Sequence, residues 1–422
     1  MPQMPESMKK SGAWLITERV LRLLNGLIIY AAIARHLGAN DFGLLNIAIG
    51  IASIFSAFSG MGADSYNLSE IKKNYHQKES FIGSAILIRS AFSILSISAL
   101  LITSLIYPEI RGLLIILTPL IIVSALSIFQ HNLLAEGHFS TFAKLSCTSI
   151  FISFTIRAIG IATNQKLSFF AYTAIIEGII LALLCIKHSN GLSYLALCLK
   201  KWKFENLKKY YKDCLPTAVS ALLISVYFKL EVLLIAKWIG ADASGKWAVL
   251  TLVLTPWSMI SAALLPIFNN QLASMDPLSE IYKKSLSKVI LKFSALALFA
   301  VLVNTLFSFF VLDKILNEEY SDIFEIIPIA SLAILPMFLG GLQEISIAHR
   351  RTTKIALVKV IIGIPFSVLL LYFMIQWLGL LGAGISIVIS YSFTAVALNY
   401  YTDKYFLRVT LSSLRWTTPN AR

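Results

Sequence analysis

Charged residues are scarce in this chain. They occupy 14% of its 422 positions, where a soluble domain carries about a quarter, so a water-soluble globule is excluded. Acidic residues are the scarcer sign, 22 against 36 Lys and Arg, leaving a net charge of +14. Cysteine is limited to Cys147, Cys185, Cys198 and Cys214. These are scattered, and no pair has metal-ligand spacing, which excludes a disulfide framework or a zinc site of the usual pattern. The six histidines, His36, His76, His131, His138, His188 and His349, fall at the ends of apolar runs or between them and form no ligand set. No metal and no cofactor are expected. The chain also lacks a phosphate-binding glycine loop, a Gly-x-Ser-x-Gly elbow and a His-Glu-x-x-His pair, so neither ATP-driven work nor the common hydrolytic chemistries are written in it. No cleavable signal peptide is expected, because the first apolar run is too long and lacks a cleavage pattern.

What fills the chain is apolar. Hydrophobic residues make up 57% of it and mean hydropathy is +0.76. Stretches of about 20 apolar residues, the length needed to span a bilayer, follow one another throughout. Twelve spans are predicted, at about 14–36, 42–64, 81–106, 112–134, 143–163, 168–187, 214–236, 247–270, 287–312, 323–347, 355–377 and 379–400. The expected fold is an all-α polytopic membrane protein. Most Lys and Arg fall in the terminal tails and the even-numbered loops, including Lys72, Lys73, Lys200, Lys201, Lys208, Lys209, Arg350, Arg351 and Lys404. By the positive-inside rule both termini are expected in the cytoplasm. The basicity is then a topology signal that also suits anionic membrane lipids, and no nucleic-acid partner is expected.

A segment recurs. Ala34-Arg35-His36-Leu37-Gly38-Ala39-Asn40-Asp41-Phe42-Gly43 returns nearly half the chain later as Ala236-Lys237-Trp238-Ile239-Gly240-Ala241-Asp242-Ala243-Ser244-Gly245. Each copy closes one apolar run and precedes another. The echo maps span 1 onto span 7, so two six-helix lobes are expected, related as parallel repeats, with something handled between them. The predicted divisions are residues 1–187, a linker at 188–213, a second lobe at 214–400 and a cytoplasmic tail at 401–422. The linker core, Lys200 to Tyr211, mixes basic and aromatic residues, which suits a helix in the headgroup layer or a solvated tether. Gly38, Gly43, Gly240 and Gly245 are expected to shape tight outer turns.

Charge inside the spans is the best chemical signal, because an ionisable group at the bilayer centre costs roughly 2.5–3.5 kcal/mol on insertion scales. Arg89 lies in span 3, Arg157 in span 5, Glu177 in span 6, and Lys229 with Glu231 in span 7. Arg19, Arg22 and Asn25 lie in the first turns of span 1. A pocket lined by the cations would attract an anion, and arginine forks suit phosphate oxygens. Snorkelling of Arg19 and Arg22 and mutual pairing of Arg157 with Glu177 stay open as structural readings. Glu177 and Glu231 are candidates to carry a coupling proton or cation, or to compensate the arginines. Arg35 and Lys237 are expected at the outer mouth.

Positions 34–45 resemble the ARxLGxxxFGLY-type segment of polysaccharide repeat-unit flippases (Wzx-type). Tyr227 to Gly240 resembles the RxDxxLLxxxLG segment that opens their second half, with Lys229 and Glu231 where Arg and Asp are usual. Ser59-Gly60-Met61-Gly62-Ala63-Asp64 resembles the glycine-rich end of their second span. The resemblance implies the multidrug, oligosaccharidyl-lipid and polysaccharide exporter superfamily, and a place in the bacterial cytoplasmic (inner) membrane. It implies a central cationic cavity that accepts an undecaprenyl-pyrophosphate-linked oligosaccharide, such as an O-antigen unit of lipopolysaccharide biosynthesis. It further implies alternating access coupled to a proton or sodium gradient, alongside a polysaccharide polymerase and a chain-length regulator. A lipid II or multidrug exporter of the same superfamily is the alternative within transport. A membrane polymerase or ligase is the alternative outside it, although such enzymes need a larger outer loop than any predicted here.

Overall fold

A helix crossing roughly 30 Å of hydrocarbon needs about 20 residues, and ten helical stretches among the described residues are long and apolar enough to do so. Two of the ten are too long for one crossing. Ala13–Lys73 has 61 residues and Val358–Thr402 has 45, which at 1.5 Å per residue would extend about 90 and 70 Å. Each contains a glycine that no helix accommodates, Gly38 (φ 77°, ψ 169°) and Gly379 (φ 58°, ψ −134°). Each stretch therefore supplies two spans, and the described residues hold the twelve that hydropathy predicts. Beyond Gly379 the return is tight: a Cβ on Gly382 would meet the Met374 carbonyl oxygen at 2.0 Å. Gly240 also has positive φ, whereas Gly43 and Gly245 lie within helices and shape no turn.

The computed structural model describes residues 6–415 apart from 74, 190, 273–274 and 278. The end of the predicted tail, 416–422, lies outside the described residues. The chain divides into two compact units, Met1–Ala236 and Lys237–Arg422.

The first unit contains α1 (Glu6–Leu24), α2 (Tyr30–Gly60), α3 (Asp64–Lys73), α4 (Lys78–Ile106), α5 (Arg111–Leu126), α6 (Ile128–Ala135), α7 (Phe139–Ala162), α8 (Leu167–His188), α9 (Gly191–Lys200) and α10 (Phe204–Trp238). A π-helical turn, Asn25–Ile29, joins α1 to α2. Helix α2 packs on α4 and α5, and α7 packs between α1 and α8. Small residues permit the close approach. Ser59 and Ser93 hydroxyls meet at 2.6 Å, and Ser124 donates to Ser59 at 3.1 Å.

The predicted linker is resolved into three pieces: α9, a break at Lys201–Lys203, and the first turns of α10. No separate headgroup helix forms at Lys200 to Tyr211, because Phe204 onward continues without interruption into the next span. The segment is fastened to the first unit. Gly83 lies against α9 so closely that a Cβ would meet the Cys198 carbonyl oxygen at 2.0 Å. Asn206 donates to Ser80 at 2.9 Å, and Lys209 pairs with Glu70 at 2.9 Å. Tyr210 is buried against Phe81 and Tyr66. Past Thr217, whose hydroxyl donates to the Met61 carbonyl at 3.0 Å, α10 becomes exposed at Leu223, Ile224 and Phe228.

The second unit contains α11 (Ala241–Leu272), α12 (Glu280–Phe307), α13 (Asp313–Ile315), α14 (Ile323–Ser331), α15 (Ile334–His349), α16 (Thr353–Ser392), α17 (Asn399–Thr402) and α18 (Lys404–Arg415). Helix α18 occupies residues predicted as tail. It buries Phe406 and Val409 against the core built on α12 and leaves Lys404 and Arg408 exposed, the polar and apolar faces of an interfacial helix.

The Gly62 position generates a test. Its φ is +55°, and a Cβ would lie 2.8 Å from the Thr217 carbonyl oxygen and 2.9 Å from the Ala221 Cβ of α10. Gly62→Ala is expected to cost about 1–3 kcal/mol. It should lower the thermal midpoint of the detergent-solubilised protein and raise protease cleavage near Lys212, whereas Gly112→Ala, which meets nothing within 4 Å, should do neither.

Candidate functional site

A seam of polar groups runs along α1, α7 and α8 inside the first unit. Glu18 and Arg22 are four apart on α1, so they share one helix face. The Arg22 Nε and Nη2 donate to Glu18 Oε1 at 2.9 and 2.7 Å. Nη2 also donates to the Ser146 hydroxyl of α7 at 3.0 Å, and that hydroxyl donates to Glu18 Oε1 at 2.9 Å. Nη1 reaches across to Glu177 Oε1 of α8 at 2.8 Å. One guanidinium thus holds two carboxylates. The Arg22 side chain is 42% exposed while Glu18 and Glu177 are at 12% and 19%, so the cation is the accessible member of the group. Lys144 lies 5.2 Å over the Trp14 ring and closes one end of the seam.

Glu177 therefore pairs with Arg22 and not with Arg157. Arg157 is 2% exposed. Its Nε donates to Thr173 Oγ1 at 3.4 Å and its Nη2 to the Thr173 carbonyl at 3.2 Å, and its guanidinium lies 5.0 Å over the Tyr30 ring. Asn25 is buried and opens the π turn, with no protein partner for its Oδ1. Such turns widen a helix and recur at functional positions.

The other predicted residues are dispersed. Arg89 is 1% exposed and far from the seam in connectivity. Its Nη2 donates to the Ser124 carbonyl at 2.7 Å and the Ser127 hydroxyl at 2.9 Å, where α5 gives way to α6. Helix ends leave carbonyls short of intrahelical partners, and Arg89 gives the Ser124 oxygen a second donor beside the Ser127 N–H. Lys229 is half-buried on α10, its stem over Gly50, whose Cβ would lie 3.8 Å from Lys229 Cδ. Glu231 is half-buried two residues on. Arg19, Arg35 and Lys237 are exposed.

Two features escaped the reading of the sequence. Glu18 was visible in principle from its i,i+4 spacing to Arg22. The second is a buried polar network in the second unit. Gln343 of α15 donates to Asn399 Oδ1 at 2.8 Å and to Asp403 Oδ2 at 3.0 Å. Lys359 of α16 donates to Gln343 Oε1. Arg350 pairs with Asp403 at 2.6 Å and lies 4.8 Å over the Tyr405 ring. Lys359 falls within predicted span 11 and Gln343 within span 10, so the same search for polar groups inside spans could have found them. The Arg350–Asp403 pair spans a long stretch of sequence and leaves no local mark.

A family model described as "Polysaccharide biosynthesis protein" matches residues 8–271. Among solved structures, an inward-facing multidrug resistance MATE family transporter of the MOP superfamily superimposes with a TM-score of 0.69 at 16% identity, covering 95% of this chain and 96% of that one. The lipid II flippase MurJ in an inward closed conformation gives 0.68 at 15% identity, covering 96% and 90%. A MOP superfamily transporter from Pyrococcus furiosus gives 0.58 at 13% identity, covering 96% and 94%. At these identities the likeness is one of fold. No curated protein matches in sequence.

The Asp403 contacts predict a pH dependence. Burial acts against its charge, but hydrogen bonds from Arg350, Gln343 and the Phe406 N–H outweigh it and hold the carboxyl below its ordinary range. Its ion pair then stabilises the fold fully above the ordinary aspartate value of about 3.9 and is lost as pH falls through the lowered value. Asp403→Asn should remove that part of the acid dependence of the unfolding midpoint, followed by scanning fluorimetry from pH 3 to 7. At neutral pH it should cost roughly 3 kcal/mol by leaving Arg350 unpaired.

Proposed function

We propose a function from the premise that this chain belongs to the polysaccharide biosynthesis protein family: it flips an undecaprenyl-pyrophosphate-linked oligosaccharide repeat unit from the cytoplasmic to the outer leaflet of the bacterial inner membrane. The reading rests on one observation above all, an accessible guanidinium held on a buried polar seam inside the membrane-spanning helices. A pyrophosphate cannot enter hydrocarbon without a counter-charge, and a guanidinium fork meets its oxygens in pairs. Arg22 is that fork in this proposal, and Lys229 is a second cation of the same unit. Arg89 and Arg157, sealed on their helices, hold the frame. The fold shared with a lipid II flippase supports a lipid-linked substrate of the same general kind.

Arg22 already carries Glu18 and Glu177, so a pyrophosphate gains it only by displacing a carboxylate. The displaced carboxylate stays on its helix, so the negative charge the pyrophosphate adds needs a compensating proton or cation there. The exchange also gives the carrier a built-in competitor that regains Arg22 when the substrate leaves, as transport in two directions of access requires. In this proposal the displaced Glu177 is where a coupling proton or sodium ion acts.

Deletion of the gene should leave single repeat units on the cytoplasmic leaflet, read by lipid mass spectrometry with side-selective labelling of the sugar. Accumulation on the outer leaflet would instead establish a polymerase or ligase. Arg22→Ala, at normal protein level, should reduce export about 10- to 100-fold, the equivalent of charged hydrogen bonds worth roughly 1.5–3 kcal/mol. Arg22→Lys should recover part of it, and export unchanged in the Ala variant would remove Arg22 from the site.

A further inference from the structure

The first unit carries a concavity lined by none of the seam residues. It is a cleft of about 500 Å³, within the range of small-molecule sites. It lies among the turns that join α2's two halves at Gly38, α4 to α5 at Pro108–Ile110, and α7 to α8 at Asn164–Lys166. This is the end of the unit opposite the basic loops at Lys72, Lys73 and Lys201. We propose that the cleft binds sugar, as a station for the saccharide part of the substrate on the outer side. The proposal rests on the carrier reading above for its source of ligand and on the cleft itself for its chemistry.

The polar groups in the cleft are mixed. Asp41 and Glu109 supply carboxylate acceptors, and Lys166, Gln165 and Ser168 supply donors. Leu37, Leu113 and Ile116 give it an apolar wall. Acceptors and donors around an apolar wall match a pyranose, whose rim is hydroxyls and whose faces are C–H. Two carboxylates against one lysine disfavour a phosphate. Among the described residues no group of three or more His, Cys, Asp or Glu could hold a metal ion, so the carboxylates are not a cation cage. A small neutral or amine-bearing polyhydroxylated ligand is the class that remains.

The walls are set before any ligand arrives. Gly38 has φ 77° and Asn164 φ 51°, the latter the left-handed cap of α7, fixed by the Gln165 N–H donating to the Gly160 carbonyl at 2.9 Å. His36 Nε2 lies 2.9 Å from the Gln165 carbonyl oxygen and the ring packs at 5.6 Å on Phe170. His36 is therefore spent on joining two turns, leaving Asp41, Glu109, Lys166 and Ser168 to face the ligand. Preorganised walls reduce the ordering cost of binding.

The test uses the full chain in detergent micelles and saturation-transfer-difference NMR with free glucose, galactose, rhamnose and N-acetylglucosamine, and sorbitol as an acyclic control. At least one of the four sugars should give a signal above sorbitol, with affinity roughly tenfold weaker in the Asp41→Asn/Glu109→Gln double variant, as expected when charged acceptors are lost. Should that variant fail to fold, Lys166→Gln with Ser168→Ala, both at exposed positions, takes its place. Lys404→Gln, at an exposed position of the second unit, should leave sugar binding unchanged. No signal above sorbitol, or a signal that survives the variants, overturns the sugar site. The two proposals fail separately: loss of the sugar signal with cytoplasmic-leaflet accumulation intact refutes the cleft alone, and sugar binding with outer-leaflet accumulation in the deletion strain refutes the carrier alone.

Discussion

Hydrocarbon offers no hydrogen bonds, and every backbone group drawn into it must find its partner within the protein. The architecture follows from that constraint. It dictates helices throughout, because only helices satisfy their own backbone within one crossing. The same lack of partners explains why Arg89 donates at the end of α5, why Arg157 folds back onto Thr173 and Tyr30, and why Gln343, Asn399, Asp403 and Arg350 form one connected network. Each satisfied group locks two or three helices together. The charged group with substantial exposure on the α1–α7–α8 seam, Arg22, stands out against that background.

The contrast between sealed and accessible cations separates framework from site. Arg89 and Arg157 have buried nitrogens without protein partners, but at 1% and 2% exposure no solute reaches them in this conformation. Arg22 has its nitrogens engaged, yet by carboxylates, which are acceptors that another anion can replace. A binding group held by exchangeable partners is stable when empty and responsive when challenged. The π turn at Asn25–Ile29 places a locally widened helix directly beside it.

Much of this was legible in the residues. The twelve spans follow from hydropathy because a span announces itself by length alone, and the breaks at Gly38 and Gly379 fall where the apolar runs were divided. The repeated segment located corresponding turns at Gly38 and Gly240, each with positive φ. Its second glycines, Gly43 and Gly245, lie inside helices, since one left-handed residue completes the turn. Partners across helices were not legible. Glu177 follows Arg157 on the next, antiparallel span, yet Arg157 lies level with Thr173 and Glu177 meets Arg22 of α1 instead. The docking of the linker was not legible for a related reason. Its basic and aromatic residues suit a headgroup layer, but Tyr210 and Asn206 use the same chemistry to dock on α4.

The Glu18–Arg22 pair also bears on how the chain is made. Synthesis runs from the N-terminus, so the first span enters the membrane before α7 and α8 exist. At that stage neither Ser146 nor Glu177 is present to meet Arg22. Glu18, one helical turn away, is. A lone arginine in a nascent span opposes its insertion, whereas a pair that forms within the helix travels in as a near-neutral unit. The second carboxylate arrives with α8, after insertion is complete. One side chain, Glu18, therefore escorts the cation into the bilayer, and another, Glu177, stations it once the helices have assembled.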